Sequence, residues 1–600
     1  MPETTLSSRG LARQFLLTIG LAAAYLLLTG ATRNSYILLV MTLIPIWATL
    51  GVAWNIFSGY SGLLSFGHAA FFGLGAYTVA ILFEYAGITP WVGVVAGAAV
   101  GALAGLLVGF PTFRLRGVYF SLAMLAYPLS MLYIFEYLGL QELALPMKKE
   151  NGWAYMQFGE PRIYILLATA MLVGAVLWNL KLGRSRFGLS LLAIKQNELA
   201  AQACGIDPFR WKLRALAISG GIAGLAGALY AVLLIIVTPH STFGMLVSAQ
   251  ALIFTMFGGV GQVAGPILGA VTLIPLSEFL TSTIGEHLPG IQGVIYGLAI
   301  IAVILVAPQG VLTWVAQRRA RAAPRPAEPA EPAAATVLPF PAAATAPGRR
   351  PDRGPQEVVM RVVDMSRNYG GLKAVSQVSF EVHQGEILGI IGPNGAGKTT
   401  LFNLLNGIVP PSAGQVFFEG RELTGLQPFE VCRLGIGRTF QVARPFARLT
   451  VLDNVLVGAL SSQADDDRAR DAALRALEQV GLAQVASRLA GNLTAVQLRL
   501  MEVARALASQ PRLLLLDEVL AGLGGAEVEQ VLHVLERLRA AGMTLVIIEH
   551  TMHAMVRLAD RLLVLDHGKV LKVGDPPSVT SDPTVIEAYL GKKWVKHAAD

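Results

Sequence analysis

Before residue 310 the chain is a succession of long apolar runs, near 14–30, 35–57, 66–84, 90–110, 117–138, 162–180, 212–238 and 290–308. Runs of this length are what a helix needs to cross a bilayer. Inside lipid every backbone N–H and C=O must find its partner within the protein, so such runs are confined to helices. Residues 358–600 read differently, with apolar and charged residues alternating as in a soluble α/β domain. The imbalance sets the whole composition: 54% hydrophobic, 14% charged and a mean hydropathy of +0.56, outside the soluble norm. Six hundred residues also exceed what one core supports. The expectation is a polytopic α-helical membrane domain over 1–316, a linker over 317–357 and an α/β domain over 358–600.

Orientation follows from short basic loops. Arg114 and Arg116 mark one cytoplasmic loop, Lys181, Arg184, Arg186 and Lys195 a second, and Arg318, Arg319 and Arg321 the cytoplasmic end. Counting back from the second loop, the spans alternate and leave Arg9 and Arg13 inside. The run behind those arginines has no convincing small-residue cleavage site and reads as an uncleaved first helix. Counting forward, an even number of crossings must follow residue 211, so 243–281 must supply two segments. Its centre, Gly258-Gly259-Val260-Gly261-Gln262-Val263-Ala264-Gly265-Pro266, breaks a helix. Two shorter, broken helices are expected there, near a pathway or gate, against the plainer reading of an extramembrane hairpin. The total comes to about nine spans, broken helices included.

The net charge of +8 gathers in loops flanking the apolar runs and in the linker, which removes the case for nucleic acid as a partner. Cys204 and Cys432 are the two cysteines. Their separation excludes a disulfide framework and a metal-ligand spacing. Few polar residues interrupt the apolar runs: His68, Glu136, Gln250 and Glu278. Intramembrane ionisable groups face a cavity or a partner, although Glu136 and Glu278 lie near span ends and can reach the interface. Leu191 to Cys204 forms an amphipathic cytoplasmic segment with Gly205 placed to end a helix, suited to docking on a soluble domain. Residues 317–357 are rich in Ala, Pro and Arg and read as an extended tether that touches anionic lipid.

In the soluble half, Gly392-Pro393-Asn394-Gly395-Ala396-Gly397-Lys398-Thr399-Thr400 follows the buried-strand sequence Glu386–Ile391 and opens a helical stretch. That is the context of a phosphate-binding (Walker A) loop. Its glycines let the amides of Asn394 to Thr400 wrap phosphate at a helix N-terminus, while Lys398 neutralises charge and Thr399 offers a hydroxyl to Mg²⁺. Leu513–Leu516 leads into Asp517 and Glu518: Asp517 suits a Mg²⁺ shell, and Glu518 suits the polarisation of an attacking water. His550, after the strand Thr544–Ile548, is placed to meet the γ-phosphate.

These residues resemble the ABC ATPase family over all of 358–600. The resemblance implies that Tyr369 stacks on adenine. It also implies that Gln441, in Arg438-Thr439-Phe440-Gln441, senses the γ-phosphate and Mg²⁺, that Glu518 is the catalytic carboxylate and that His550 is the switch histidine. Tyr369-Gly370-Gly371-Leu372-Lys373-Ala374-Val375 and Ile586-Glu587-Ala588-Tyr589-Leu590-Gly591 look like the ATPases of branched-chain amino acid importers. The membrane half is similar to the permeases of that same family, through Ser65-Phe66-Gly67-His68-Ala69-Ala70-Phe71-Phe72-Gly73, Asn197–Gly205 and Gly258–Pro266.

One motif departs from the family. The usual Leu-Ser-Gly/Tyr-Gly-Gln signature stands here as Leu493-Thr494-Ala495-Val496-Gln497. By the resemblance, Thr494 and Gln497 face ATP held by another subunit. Val496 puts a β-branched side chain where close backbone approach is needed, and Gly524 stands where an acidic or amide residue is usual. A heterodimer with an ATPase of normal signature would leave one site intact.

The resemblance implies a fused permease and ATPase of a bacterial inner-membrane importer, with its ATPase domain in the cytoplasm. ATP and Mg²⁺ are the implied cofactors. The implied partners are a second permease subunit, a second ABC ATPase, an extracytoplasmic substrate-binding protein and membrane lipid. Branched-chain amino acids are the expected cargo, with urea or small aromatic acids as alternatives inside the family. An exporter and an ATP-gated channel are the rival readings outside it.

Overall fold

The computed structural model describes residues 8–115, 117–284, 291–307, 310–322 and 357–590. The chain forms two compact units, one built on Leu6–Lys195 and Phe209–Glu331, the other on Gln196–Pro208 and Pro332–Asp600. Most of the expected linker, 323–356, lies outside the described residues.

Among the described residues of the first unit, nine helices are long and apolar enough to cross a membrane. They run over Leu11–Thr29, Ser35–Gly59, His68–Ala86, Pro90–Thr112, Val118–Tyr137, Arg162–Gly183, Pro208–Leu234, Pro239–Gly258 and Gly265–Thr283. A shorter apolar helix, Ile291–Val306, follows. The stretch 243–281 is indeed interrupted: Met245–Gly258 and Gly265–Ile284 are parted by non-helical residues 259–264. Gly259 and Gly261 have φ of 137° and 84° there, a region open to glycine and costly for other residues.

Among the close helix contacts of this unit is a glycine stripe. Helix Pro90–Thr112 buries Gly93, Gly97, Gly101, Gly105 and Gly109. A Cβ on Gly101 would sit 2.3 Å from the Gly220 carbonyl oxygen, and one on Gly224 2.5 Å from that of Gly97. Backbones meet there without intervening side chains, which maximises dispersion contact where lipid supplies no hydrophobic drive.

Three of the polar residues that interrupt the apolar runs, His68, Glu136 and Glu278, have side-chain partners. His68 is fully buried, with Nδ1 3.0 Å from Ser65 Oγ and Nε2 2.7 Å from Ser219 Oγ. The Ser219 hydroxyl donates to the Ala53 carbonyl oxygen, so its single proton is spent. His68 therefore donates through Nε2 and accepts the Ser65 proton at Nδ1, a neutral ring with both nitrogens satisfied. Glu136 meets His240 at 3.1 Å, and the Tyr36 hydroxyl donates to Glu278 at 2.9 Å.

The second unit holds a six-stranded sheet in the order Lys569–Gly574, Arg561–Asp566, Ile387–Ile391, Thr544–Ile548, Leu513–Asp517, Ile436–Arg438. The first pair is antiparallel and the rest are parallel. The strands Ile387–Ile391, Leu513–Asp517 and Thr544–Ile548 are buried at every position, the mark of parallel strands covered on both faces. An antiparallel sheet ordered Leu372–His383, Val358–Tyr369, Ala413–Phe418, Arg421–Glu422 shares its core.

The expected single amphipathic helix over 191–204 is two helices, Arg186–Gln196 and Glu198–Ala203. Asn197 divides them: at φ −157° it leaves the helical region, and its Oδ1 accepts the Ala200 N–H at 2.9 Å as an N-cap. Gly205, at φ 80°, closes the second helix. Within its unit the segment Gln196–Pro208 is tied to the sheet-bearing body. Arg433 Nε donates to the Gly205 carbonyl (2.9 Å), and the Arg448 N–H donates to Gln196 Oε1 (2.9 Å).

Candidate functional site

The parallel strands end at one edge, and the candidate residues arise where they end. After Ile387–Ile391 the chain turns through Gly392, at φ 154°, where a Cβ would lie 2.1 Å from the Leu565 carbonyl oxygen. It then passes Asn394, Gly395 and Ala396 and enters helix Lys398–Leu405 from Gly397 at φ 98°. Gly397 brings no side chain to cap the helix, so the amides of Lys398, Thr399 and Thr400 head a first turn suited to an anion. Lys398 is buried, and its ammonium donates to the carbonyls of Gly392 (2.7 Å) and Pro393 (3.0 Å). Burial lowers its pKa, while the charges of Glu518 and Asp517 oppose that shift.

From the strand Leu513–Asp517 come the two carboxylates. Asp517 is buried, and burial raises its pKa against the opposing field of Arg438. Its Oδ2 lies 3.4 Å from Arg438 Nη2, whereas Oδ1 has no hydrogen-bond partner among the described residues. A buried carboxylate oxygen left open, beside a loop of backbone amides and a threonine hydroxyl, fits the all-oxygen coordination that Mg²⁺ takes.

Glu518 sits in strained backbone at φ 47°, with its N–H donated to the Ile548 carbonyl (2.9 Å). Such strain persists where the surroundings over-determine it. Gln441 Nε2 donates to its Oε2 at 2.9 Å, and His550 Nε2 lies 2.5 Å from its Oε1. Two residues drawn from distant parts of the sequence are thus gathered on one carboxylate.

Tyr369 ends the strand Val358–Tyr369, half exposed, with the Arg367 guanidinium 4.8 Å from its ring centroid. The adjoining strand lays its Ala374 carbonyl against Gly397, where a Cβ would come within 2.3 Å. That hairpin therefore borders the phosphate loop. Thr494 and Gln497 are engaged with each other: Thr494 Oγ1 accepts the Gln497 N–H, and Gln497 Oε1 accepts the Thr494 N–H. This capping box starts helix Ala495–Ala508, and Val496 is buried in its first turn. One turn on, Arg499 donates to the Phe440 carbonyl (3.1 Å), next to Gln441.

Two contributors were not assigned roles from sequence. Arg438 is nearly inaccessible and also donates to Asn403 Oδ1 (2.8 Å) and the Phe402 carbonyl (3.3 Å). A cation in a fully buried three-residue strand is the signal that could have found it. Glu549, beside His550, is buried and accepts the Leu520 N–H at 2.8 Å. Burial pushes its pKa up to about 7.

Comparison with known proteins gives the site its setting. Residues 36–304 match the family described as the permease component of the branched-chain amino acid transport system, and 375–521 match the ABC transporter family. The high-affinity branched-chain amino acid transport ATP-binding protein LivG of Salmonella typhimurium is 38% identical over 250 residues, 39% of this chain and 98% of that protein. BraF of Pseudomonas aeruginosa, of the same description, is 35% identical with the same coverage. The probable LivG of Archaeoglobus fulgidus is 34% identical over 245 residues, 39% of this chain and 95% of that protein. The nucleotide unit implies hydrolysis of ATP coupled to transport. The chain belongs to the branched-chain amino acid ABC transporter family, with a permease component and an ATP-binding component fused in one polypeptide.

Proposed function

We propose that this chain is one half of an ATP-driven importer that brings branched-chain amino acids, or a related small polar solute, across a bacterial inner membrane into the cytoplasm. The observation that carries the reading is Glu518 clamped between Gln441 and His550 in a chain whose described residues also include nine helices long and apolar enough to cross a membrane. Residues 1–316 are the permease, 317–357 the tether and 358–600 the ATPase.

Tyr369 stacks on adenine, and the amides of Asn394, Gly395, Ala396, Gly397, Lys398, Thr399 and Thr400 hold the phosphates. Thr399, Gln441 and Asp517 would hold Mg²⁺, which when bound would neutralise charge on the phosphate oxygens. Glu518 orients and polarises the attacking water, Gln441 and His550 fix its carboxylate, and Lys398 meets the negative charge of the transferred group. Segment Gln196–Pro208 carries closure of the ATPase pair to the permease.

A second permease, a second ATPase and an extracytoplasmic binding protein complete the assembly. Thr494, Ala495 and Val496 point to a partner ATPase with a normal signature, because a homodimer would repeat the altered motif in both sites. The test is ATP hydrolysis by the lipid-reconstituted chain, alone and with partner subunits, across candidate solutes on their binding protein. Low activity alone, raised by partners and by binding protein carrying leucine, isoleucine or valine, supports the reading. Full activity alone, indifferent to every loaded binding protein, refutes it.

A further inference from the structure

Three interruptions of regular helix in the permease unit converge. The first is a π-helical turn, Asn55–Gly59, at the end of the second span, followed by non-helical residues 62–67. The second is the break at 259–264, and the third is at Gly310, φ 86°, just before helix Val311–Ala322. π-helical turns are rare and gather at functional positions.

Asn55 is fully buried and uses both ends of its amide on the second interruption. Its Nδ2 donates to the Gln262 carbonyl at 2.9 Å, and its Oδ1 accepts the Gly261 N–H at 2.8 Å. Gln262 in turn donates through Nε2 to Thr313 Oγ1 at 2.7 Å. Gly310 lies so close to Gly259 that a Cβ on it would come within 2.3 Å of the Gly259 Cα. At the other end of the π-turn, the Lys195 ammonium donates to the Gly59 carbonyl at 2.8 Å. Lys195 is the residue that precedes Gln196, where the segment belonging to the nucleotide unit begins.

A plain helix end needs none of this, since its last carbonyls can be satisfied by water or by tightening of the final turn. Here a side-chain amide replaces backbone partners for two residues of the break, and a cation is held on the carbonyl that the π-turn presents. We propose that Asn55 and Lys195 are positioning residues for transport. They make the π-turn and the 259–264 break one hinge, so that displacement of the chain at Gln196 moves the break instead of dissipating in the loop. The proposal rests on the transport reading but not on the identity of the solute.

The experiment places Ala264→Cys, an exposed position on the break, in the full chain with its partner subunits in lipid nanodiscs. The native Cys204 and Cys432 are buried, and the chain without the substitution gives the background. Alkylation by a charged maleimide is timed without nucleotide and with ATP and Mg²⁺. The expected result is a rate change of roughly fivefold or more in the parent. That change should vanish in Lys195→Met and Asn55→Leu while both still hydrolyse ATP, and it should return in Lys195→Arg.

The proposal is overturned if ATP leaves the parent rate unchanged. It is also overturned if the change survives Lys195→Met, or if hydrolysis and the change decline together. Should Asn55→Leu fail to fold, Lys195→Met carries the test alone. Because no solute is used, failure of amino acid uptake would overturn the proposed cargo without touching this result.

Discussion

Arg438 and Asp517 face each other across adjacent parallel strands, guanidinium to carboxylate at 3.4 Å, both nearly inaccessible to solvent. Asp517 spends one oxygen on this pair and keeps the other open. Burial raises the Asp517 pKa, and the Arg438 charge beside it opposes that shift next to the phosphate loop. Removing one partner of a buried pair leaves an uncompensated charge, typically at a cost of about 3–5 kcal/mol. Arg438→Met is expected to lower the unfolding midpoint of the nucleotide unit and to weaken the Mg²⁺ dependence of hydrolysis. Arg438→Lys should do less of both, because it keeps the charge and loses the fork to Asn403 and Phe402. Calorimetry and a Mg²⁺ titration of ATPase rate check the pair of substitutions.

Glu518→Gln keeps the shape of the side chain and removes the carboxylate that we propose polarises the attacking water. Hydrolysis should fall about a hundredfold or more, the usual scale for a general base, with ATP affinity preserved. Single-turnover kinetics beside equilibrium nucleotide binding separate the two effects. Equal losses in both would mean that Glu518 builds the site and does no chemistry.

Glu549 gives a pH dependence with a definite sign. Its carboxyl is raised from 4.5 to about 7 in the fold, so the folded state holds a proton that the unfolded state releases first. Stability from this group is fully present below pH 4.5 and is lost as pH rises towards 7. The whole swing is on the order of 3 kcal/mol at 1.36 kcal/mol per pH unit. Glu549→Gln should flatten that part of the profile, as measured by unfolding midpoints across pH 4.5–7.5. An unchanged slope would place the proton elsewhere.

The altered signature gives a gain-of-function test. Ala495→Gly with Val496→Gly restores the glycines that let a helix N-terminus approach a neighbour's phosphate. The double variant, assayed without a partner ATPase, should hydrolyse ATP faster than the parent chain. No gain would mean that Val496 is not what limits self-pairing, and the heterodimer proposal would lose its basis.

Much of the fold was legible because bilayer length and strand burial leave direct marks in hydropathy. The break inside 243–281 could be deduced from Gly258–Pro266 together with the parity of basic loops. Other features left no local mark. The split at Asn197 looked like continuing helix, since one asparagine gives no sign of whether it caps or lies within. The π-turn at Asn55–Gly59 continues an apolar run, and its partners at 261–262 lie more than 200 residues away in sequence. Arg438 stood inside a quoted motif without a role because Asp517, 79 residues on, becomes its neighbour only through parallel strand pairing. The phosphate loop was readable by contrast, because its glycines and Lys398 are contiguous.

The most direct measurement is uptake of radiolabelled leucine into proteoliposomes holding this chain with its partner subunits, ATP and Mg²⁺ on the nucleotide-unit side and loaded binding protein on the other. ATP-driven inward accumulation, abolished by Glu518→Gln, is the predicted result. Hydrolysis with no inward accumulation of any branched-chain amino acid, or flux that persists in Glu518→Gln, would contradict an ATP-driven importer of these solutes.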